Sequence, residues 1–409
     1  MASATGYELS SDETAALRRL AFRSGAVLER EGRAVYGFGQ AARLELPGGL
    51  ADDERCAEIE AAIAALGAGT SPRPPLAIGA LPFLPDAPAC LVVPDVAVIA
   101  EPGSPAVAVV TGTGHGRAAL DRLLAKASTA AVEEPPPDAF TLASTRSHAD
   151  FLSRVTAAVE EVRTGRLDKV VLAREVNIEA NRPLRQHDLL ERLRALHPSC
   201  LSFAVSGFVG ASPELLLARN GARFASHPLA GTAARSGDPE ADARAEAALL
   251  ASDKERAEHA AVVEAIAAGL RPVAASLDVP PGPHIVELRN VSHLGTSITG
   301  SLPDGAPGAL GLLGRIHPTP AVAGTPTDVA LEYLAKAEEL DRDRYAGAVG
   351  WVDGAGDGEW YLGIRSAIVE GSSARLFAGV GILADSDPEA ELRETQLKLQ
   401  AVLAAAVRP

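Results

Sequence analysis

The chain has 409 residues, 47% of them apolar and 4% aromatic, and carries a formal net charge of −15. Such an acid surplus argues against a general nucleic-acid or membrane-surface binder, because the global field repels polyanions. An anionic substrate would need a local cationic pocket or a metal ion. Cys56, Cys90 and Cys200 are far apart and lack CxxC spacing, which disfavours a disulfide framework or structural zinc and fits a reducing cytoplasm. The N-terminus lacks the basic and apolar regions of a secretory signal. No apolar run reaches the roughly 18–20 residues of a membrane helix.

In chain order, helices are predicted over 12–24 and 51–66, with a short strand at Arg33-Ala34-Val35-Tyr36-Gly37-Phe38 between them. From 71 to 110 prolines separate short apolar runs, a pattern of strands and loops. Glu134-Pro135-Pro136-Pro137-Asp138 reads as a linker. A helix follows over 147–165, then a buried strand over 168–176. Asn220-Gly221 between two apolar runs signals a hairpin with a type I′ turn. One long helix is predicted over 239–270. Strands are predicted over 347–352, 359–369 and 374–382, and a final helix carries Glu391, Glu394 and Lys398. Strands joined by tight turns imply an α+β chain of mostly antiparallel sheet.

Ala106-Val107-Ala108-Val109-Val110-Thr111-Gly112-Thr113-Gly114-His115-Gly116-Arg117 imitates a dinucleotide-binding turn. Its spacing fails. Arg117 occupies the third glycine position, and no acidic residue ends a second strand about 20 residues on. An ordinary glycine-rich loop is expected instead.

Polar residues that a core would not choose recur between 169 and 398. Lys169 begins an apolar strand, where desolvation would make it a candidate general base; a strand-end lysine reaching water is the alternative. Glu214 precedes three leucines, which would keep its carboxyl protonated and make it a candidate acid. Gly231 and Thr232 would let a ligand approach the backbone. Glu258 faces the apolar side of its helix and needs a partner such as a metal ion. Glu391, Glu394 and Lys398 fall on one helical stripe, suited to a cation and an anionic ligand or simply to a solvated ion pair. Arg365, placed inside a strand next to the Gly379 and Gly381 backbone, suits a carboxylate. Together these point to Mg²⁺ and a small carboxylate-bearing ligand.

These segments, in this order, resemble the chorismate-utilising enzymes. The likeness is carried by Lys169-Val170-Val171-Leu172-Ala173-Arg174, Gly210-Ala211-Ser212-Pro213-Glu214-Leu215-Leu216, Pro228-Leu229-Ala230-Gly231-Thr232, Glu258-His259, His317-Pro318-Thr319-Pro320-Ala321-Val322, Val349-Gly350-Trp351, Gly358-Glu359-Trp360, Ile364-Arg365, Phe377-Ala378-Gly379-Val380-Gly381-Ile382 and Arg393-Glu394-Thr395. It spans about 145–405 and is nearest to the isochorismate synthases. It implies one large domain over 1–409, two mostly antiparallel sheets packed together with helices outside, in which the divergent region 1–140 completes the fold.

The resemblance also implies roles. Chorismate's ring carboxylate would meet Mg²⁺ held by Glu258 and Glu394, with Glu391 close by through water. Arg365 and the Gly379 backbone would take the enolpyruvyl carboxylate, and Lys398 would add positive charge near the ring carboxylate. Gly231 and Thr232 would line the ring pocket. His293 matches a family pocket histidine, with a purely structural role as the competitor. Lys169 would draw a proton from water attacking C2, and Glu214 would protonate the departing C4 hydroxyl. Amine-forming relatives generally lack a base at Lys169, and the aminodeoxychorismate enzymes place a lysine where Ala230 stands. No glutaminase-like segment is present, so no glutaminase subunit is expected. A cytoplasmic monomer or weak oligomer is implied, serving menaquinone or siderophore biosynthesis. The alternative is a salicylate synthase, which goes on to eliminate pyruvate. A non-catalytic chorismate binder and a nicotinamide oxidoreductase are remoter readings.

Overall fold

Alternation along the strands decides which residues face which layer. In Arg33–Phe38, Val35 packs into one apolar cluster, whereas Ala34 and Tyr36 pack into another. Leu28 and Val27 divide in the same way, as do Phe203 and Ala204. Side chains two apart share a face, so these strands are buried on both sides. In the computed structural model, which describes residues 3–67, 71, 73–112, 116–129 and 135–407, those strands belong to a twelve-stranded sheet that faces a nine-stranded one. The first cluster joins them: Phe203 and Phe208 from one sheet, Ile78, Leu91 and Trp360 from the other. The second lies between the twelve-stranded sheet and the helices Ser11–Ser24, Gly116–Ser128, Gln186–Leu196 and Pro388–Val407. A three-stranded sheet, Leu229–Ala234, Val291–Gly295 and His284–Glu287, stands apart. Every strand pairing among the described residues is antiparallel. The expected α+β architecture of two antiparallel sheets with helices outside is therefore present. Strands from the first 112 residues enter both large sheets.

The sites where the chain changes sheet matter most. Phe208–Ser212 belongs to the larger sheet and Leu215–Asn220 to the smaller, so Pro213 and Glu214 form a crossing. Gly358–Leu362 and Ser366–Glu370 are divided likewise, with a crossing at 363–365. This corrects the single strand expected over 359–369. Arg365 is not inside a strand; it stands at the break, with φ of 51°. A left-handed backbone turn cannot continue a pleated strand. The two crossings lie side by side: the Leu362 amide donates to the Glu214 carbonyl at 3.0 Å, and the Ala211 amide to the Arg365 carbonyl at 3.1 Å.

Two local expectations also shift. The helix predicted over 239–270 is two helices, Pro239–Ala251 and Asp253–Leu270. Ser252 breaks it: with ψ of 112° its hydroxyl accepts from the Glu255 amide and caps the second helix, and serine favours that role over helix interior. The hairpin at Asn220-Gly221 is present, but Asn220 pairs with Arg223. Its loop is Gly221-Ala222, with positive φ at Gly221 and not at Asn220, which fits a II′ turn and not I′.

The dinucleotide look-alike fails structurally too. Its strand, Ala106–Gly112, has antiparallel neighbours on both sides, whereas that motif needs a parallel unit. Residues 113–115 of that segment, and residue 134 of the expected linker, lie outside the described residues. Cys56, Cys90 and Cys200 are free. Among the described residues no helix is long and apolar enough to cross a membrane.

Candidate active site

A cavity of about 270 Å³ opens where the sheet crossings, the three-stranded sheet and two helices meet. That is close to the lower end for ligand pockets, about 300 Å³. Every site residue expected from the sequence lines it: Lys169, Glu214, Gly231, Thr232, Glu258, His293, Arg365, Gly379, Glu391, Glu394 and Lys398. Residues some 230 positions apart in the chain thus share one space.

Lys169 begins the strand Lys169–Ala180 and is 6% exposed. Its Nζ donates to Glu258 Oε1 at 2.5 Å. Neighbouring Gly381 makes room for it, since a Cβ there would come within 2.5 Å of Lys169 Cε. Glu214, at the first crossing, is 3% exposed, and its Oε1 has no hydrogen-bond partner among the described residues. Burial pushes its pKa up to about 8; the Leu229 amide and the charges of Lys169 and Arg365 oppose that shift without cancelling it. A carboxylic acid of this kind stays protonated at neutral pH and can donate.

Arg365, at the second crossing, forms no ion pair among the described residues. Burial holds its pKa below the ordinary arginine value. One guanidinium nitrogen, Nη2, lies 3.0 Å from His293 Nε2, and Nη1 is buried without a partner. A buried cation with an open donor is a receptor for an anion.

The floor is a bulge. Pairing between Leu229–Ala234 and Val291–Gly295 slips between Ala230 and Thr232, leaving Gly231 out of register with φ of 77°. Glycine tolerates that angle without penalty. The bulge brings Thr232 N to Glu255 Oε2 at 3.3 Å, and Thr232 Oγ1 to His293 Nδ1 at 3.1 Å. Lys398 Nζ donates to the Gly379 carbonyl at 3.0 Å and pairs with Glu394 Oε1 at 2.7 Å.

Glu255, Lys254 and Tyr345 are among the lining residues that sequence reasoning passed over. Glu255 lies three positions before Glu258, on the same helical face, and that spacing could have found it. Burial raises its pKa, as do the Glu258 and Glu394 charges. Lys254, beside it, pairs with Asp385 at 3.1 Å. Tyr345 stacks on Phe377 with ring centroids 5.0 Å apart, and the Gly379 amide is a hydrogen-bond neighbour of its hydroxyl. Nothing around Tyr345 in the sequence marks it.

The carboxylates bear on a metal. Among the described residues no group of three or more acidic, imidazole or thiol side chains stands ready to hold one. Glu258 and Glu394 are instead each joined to a lysine. Yet the acids crowd one another: burial and then the Glu394 charge raise Glu391, and Glu258 and Glu394 raise Glu255. Mutual repulsion of that kind is what a hard cation relieves, and Mg²⁺ needs only one or two carboxylates besides substrate oxygens and water. The donor set fits.

A family model described as "Chorismate binding enzyme" matches residues 91–407. The chain belongs to the chorismate-binding enzymes. Similarity to members of this family reaches further. A Mycobacterium tuberculosis protein provisionally assigned as an isochorismate synthase, MenF, is 40% identical over 368 residues, covering 86% of this chain and 91% of its own. The isochorismate synthase DhbC of Bacillus subtilis is 41% identical over 267 residues, 63% of this chain and 67% of its own. Among solved structures, a Bacillus anthracis protein provisionally assigned as a 2,3-dihydroxybenzoate-specific isochorismate synthase, DhbC, aligns with a TM-score of 0.82 and 30% identity, over 97% of this chain and 100% of its own.

Proposed function

We propose that this chorismate-binding enzyme is an isochorismate synthase, an isomerase acting on chorismate. The observation that carries the reading is the placement of Lys169 and the buried, proton-holding Glu214 in one cavity with Arg365, a cation lacking a carboxylate partner among the described residues. Relatives about 40% identical over most of the chain carry that name.

In this reading Lys169 takes a proton from water as the water oxygen bonds to C2. The ring double bonds shift, the C4–O bond breaks, and Glu214 gives its proton to the departing oxygen. One water enters and one leaves, so the substrate is isomerised without a redox change. Arg365 holds the enolpyruvyl carboxylate through its open donor. Lys398 fixes the Gly379 carbonyl and adds charge at the other end.

Charge balance supports Mg²⁺ as the cofactor, with Glu258 and Glu394 as its holders and Glu391 nearby. With Glu214 protonated and Lys169 set aside as the neutral base, the lining carries four carboxylates (Glu255, Glu258, Glu391, Glu394) and three cations (Lys254, Arg365, Lys398), a net charge of −1. A dicarboxylate substrate adds two negative charges, which one divalent cation offsets. When bound, Mg²⁺ would supply positive charge for the ring carboxylate, with Glu258 and Glu394 as the residues that would hold it.

The test is product analysis by NMR after incubating purified protein with chorismate and Mg²⁺. Isochorismate as the accumulating product is expected. Salicylate with pyruvate in its place would overturn the assignment in favour of a salicylate synthase.

A further inference from the structure

The two nitrogens of His293 are already committed. Nε2 lies 3.0 Å from Arg365 Nη2. An arginine only donates, so Nε2 must accept and carries no proton. Nδ1 lies 3.1 Å from the Gly231 carbonyl. A carbonyl only accepts, so Nδ1 carries the proton. The ring is thereby fixed as one neutral tautomer, and neither nitrogen has a proton or lone pair to exchange with a substrate.

From this we infer that His293 is a positioning residue that acts through Arg365, aiming the guanidinium at the substrate carboxylate, and takes no part in proton transfer. The inference rests on the proposed reading of the cavity. Arg365 is held at both ends. Its backbone is pinned at the sheet crossing, with φ of 51° and its carbonyl accepting from the Ala211 amide. Its Nη2 is held by His293. The guanidinium is planar, so these restraints leave Nη1 as the free arm, buried and without a hydrogen-bond partner among the described residues. His293 is fixed in turn by the bulge at Gly231, which supplies the carbonyl, and by the Thr232 hydroxyl at 3.1 Å. The glycine bulge therefore serves the arginine, two contacts away.

Three variants separate the roles. His293→Gln puts an amide oxygen where Nε2 stood and keeps an acceptor for Arg365. His293→Asn reaches only as far as Nδ1 and offers Arg365 nothing. His293→Ala removes both contacts. With chorismate and Mg²⁺, KM is expected to rise about 10- to 100-fold in the Asn and Ala variants, the size of a lost hydrogen bond to a charged group. In the Gln variant it should rise no more than about 3-fold, and kcat should fall less than KM rises throughout. The pH profile of kcat should keep its shape in the Gln variant. Loss of kcat by more than about 100-fold in that variant, at unchanged KM, would overturn the inference and make His293 a proton-transfer group. Equal KM in all three variants, with only melting temperatures differing, would overturn it in favour of a structural role. Calorimetric dissociation constants for chorismate should follow the same order without turnover. A wild type that bound chorismate but made no isochorismate would sink the functional reading, and this order would still decide the role of His293.

Discussion

Lys169 Nζ and Glu258 Oε1 are 2.5 Å apart, with side chains 7% and 18% exposed. The proposed base and the proposed metal ligand are thus partners of each other. A base must present its nitrogen to the water it deprotonates, and here that nitrogen is engaged by a carboxylate. The contact therefore ties the availability of the amine to whatever else engages Glu258.

Lys169→Ala should lower kcat by about 10²–10⁴-fold, the usual range for a lost general base. Chorismate binding should change little, because Arg365 and Lys398 remain. Paired measurements of turnover and calorimetric affinity check this. Turnover within a few-fold of wild type would remove Lys169 from the base role.

Glu258→Ala frees the amine yet removes a carboxylate from the acidic group. If Glu258 holds Mg²⁺, activity should fall and the Mg²⁺ concentration for half-activation should rise, by about 10-fold or more for a lost ligand. The check is a Mg²⁺ titration of initial rate beside wild type. An unchanged titration midpoint would exclude the ligand role.

Glu214 gives a pH prediction with a definite sign. Its folded pKa, about 8, lies above the ordinary glutamate value of 4.5. Between those values the native state holds a proton that the unfolded chain has released. The contribution to stability is thus full below about 4.5 and is lost as pH rises through about 8, at about 1.4 kcal/mol per pH unit at most. Glu214→Gln cannot ionise and should escape that loss, so its stability relative to wild type should increase from pH 5 to pH 8. Denaturant unfolding of both proteins across that range tests it; parallel curves would refute the shift. The wild-type rate should also decline above about pH 8, as the acid is lost.

The elements were largely legible because burial on both faces leaves short apolar runs, as at 170–173 in the strand Lys169–Ala180, and because caps such as Ser147 mark helix starts. The carboxylates and lysines of the site stood out as charged residues in apolar surroundings. The crossings did not. Nothing in Gly358–Glu370 announces that Leu362 and Ser366 belong to different sheets, because both halves are equally apolar; only Arg365's left-handed backbone, a tertiary outcome, divides them. Ser252 was hidden for the opposite reason: the alanines around it favour helix so strongly that a lone serine reads as tolerated. Tyr345 reaches the cavity only because the fold stacks it on Phe377.

Gly381 supplies the last prediction. A Cβ at this position would come within 2.5 Å of Lys169 Cε and 3.1 Å of its Nζ. The backbone there is paired with Val171 across the strands, so it cannot retreat without breaking the ladder. The lysine must move instead. Its amine is held by one strong contact, to Glu258, and a shift of about 1 Å suffices to spoil a proton transfer. Gly381→Ala should therefore cost about 10²-fold in kcat while the protein folds normally, because the clash falls on a flexible side chain and not on backbone. Turnover is measured alongside thermal unfolding. Loss of both together would mean that the glycine serves the sheet; loss of turnover alone would mean that it serves the lysine.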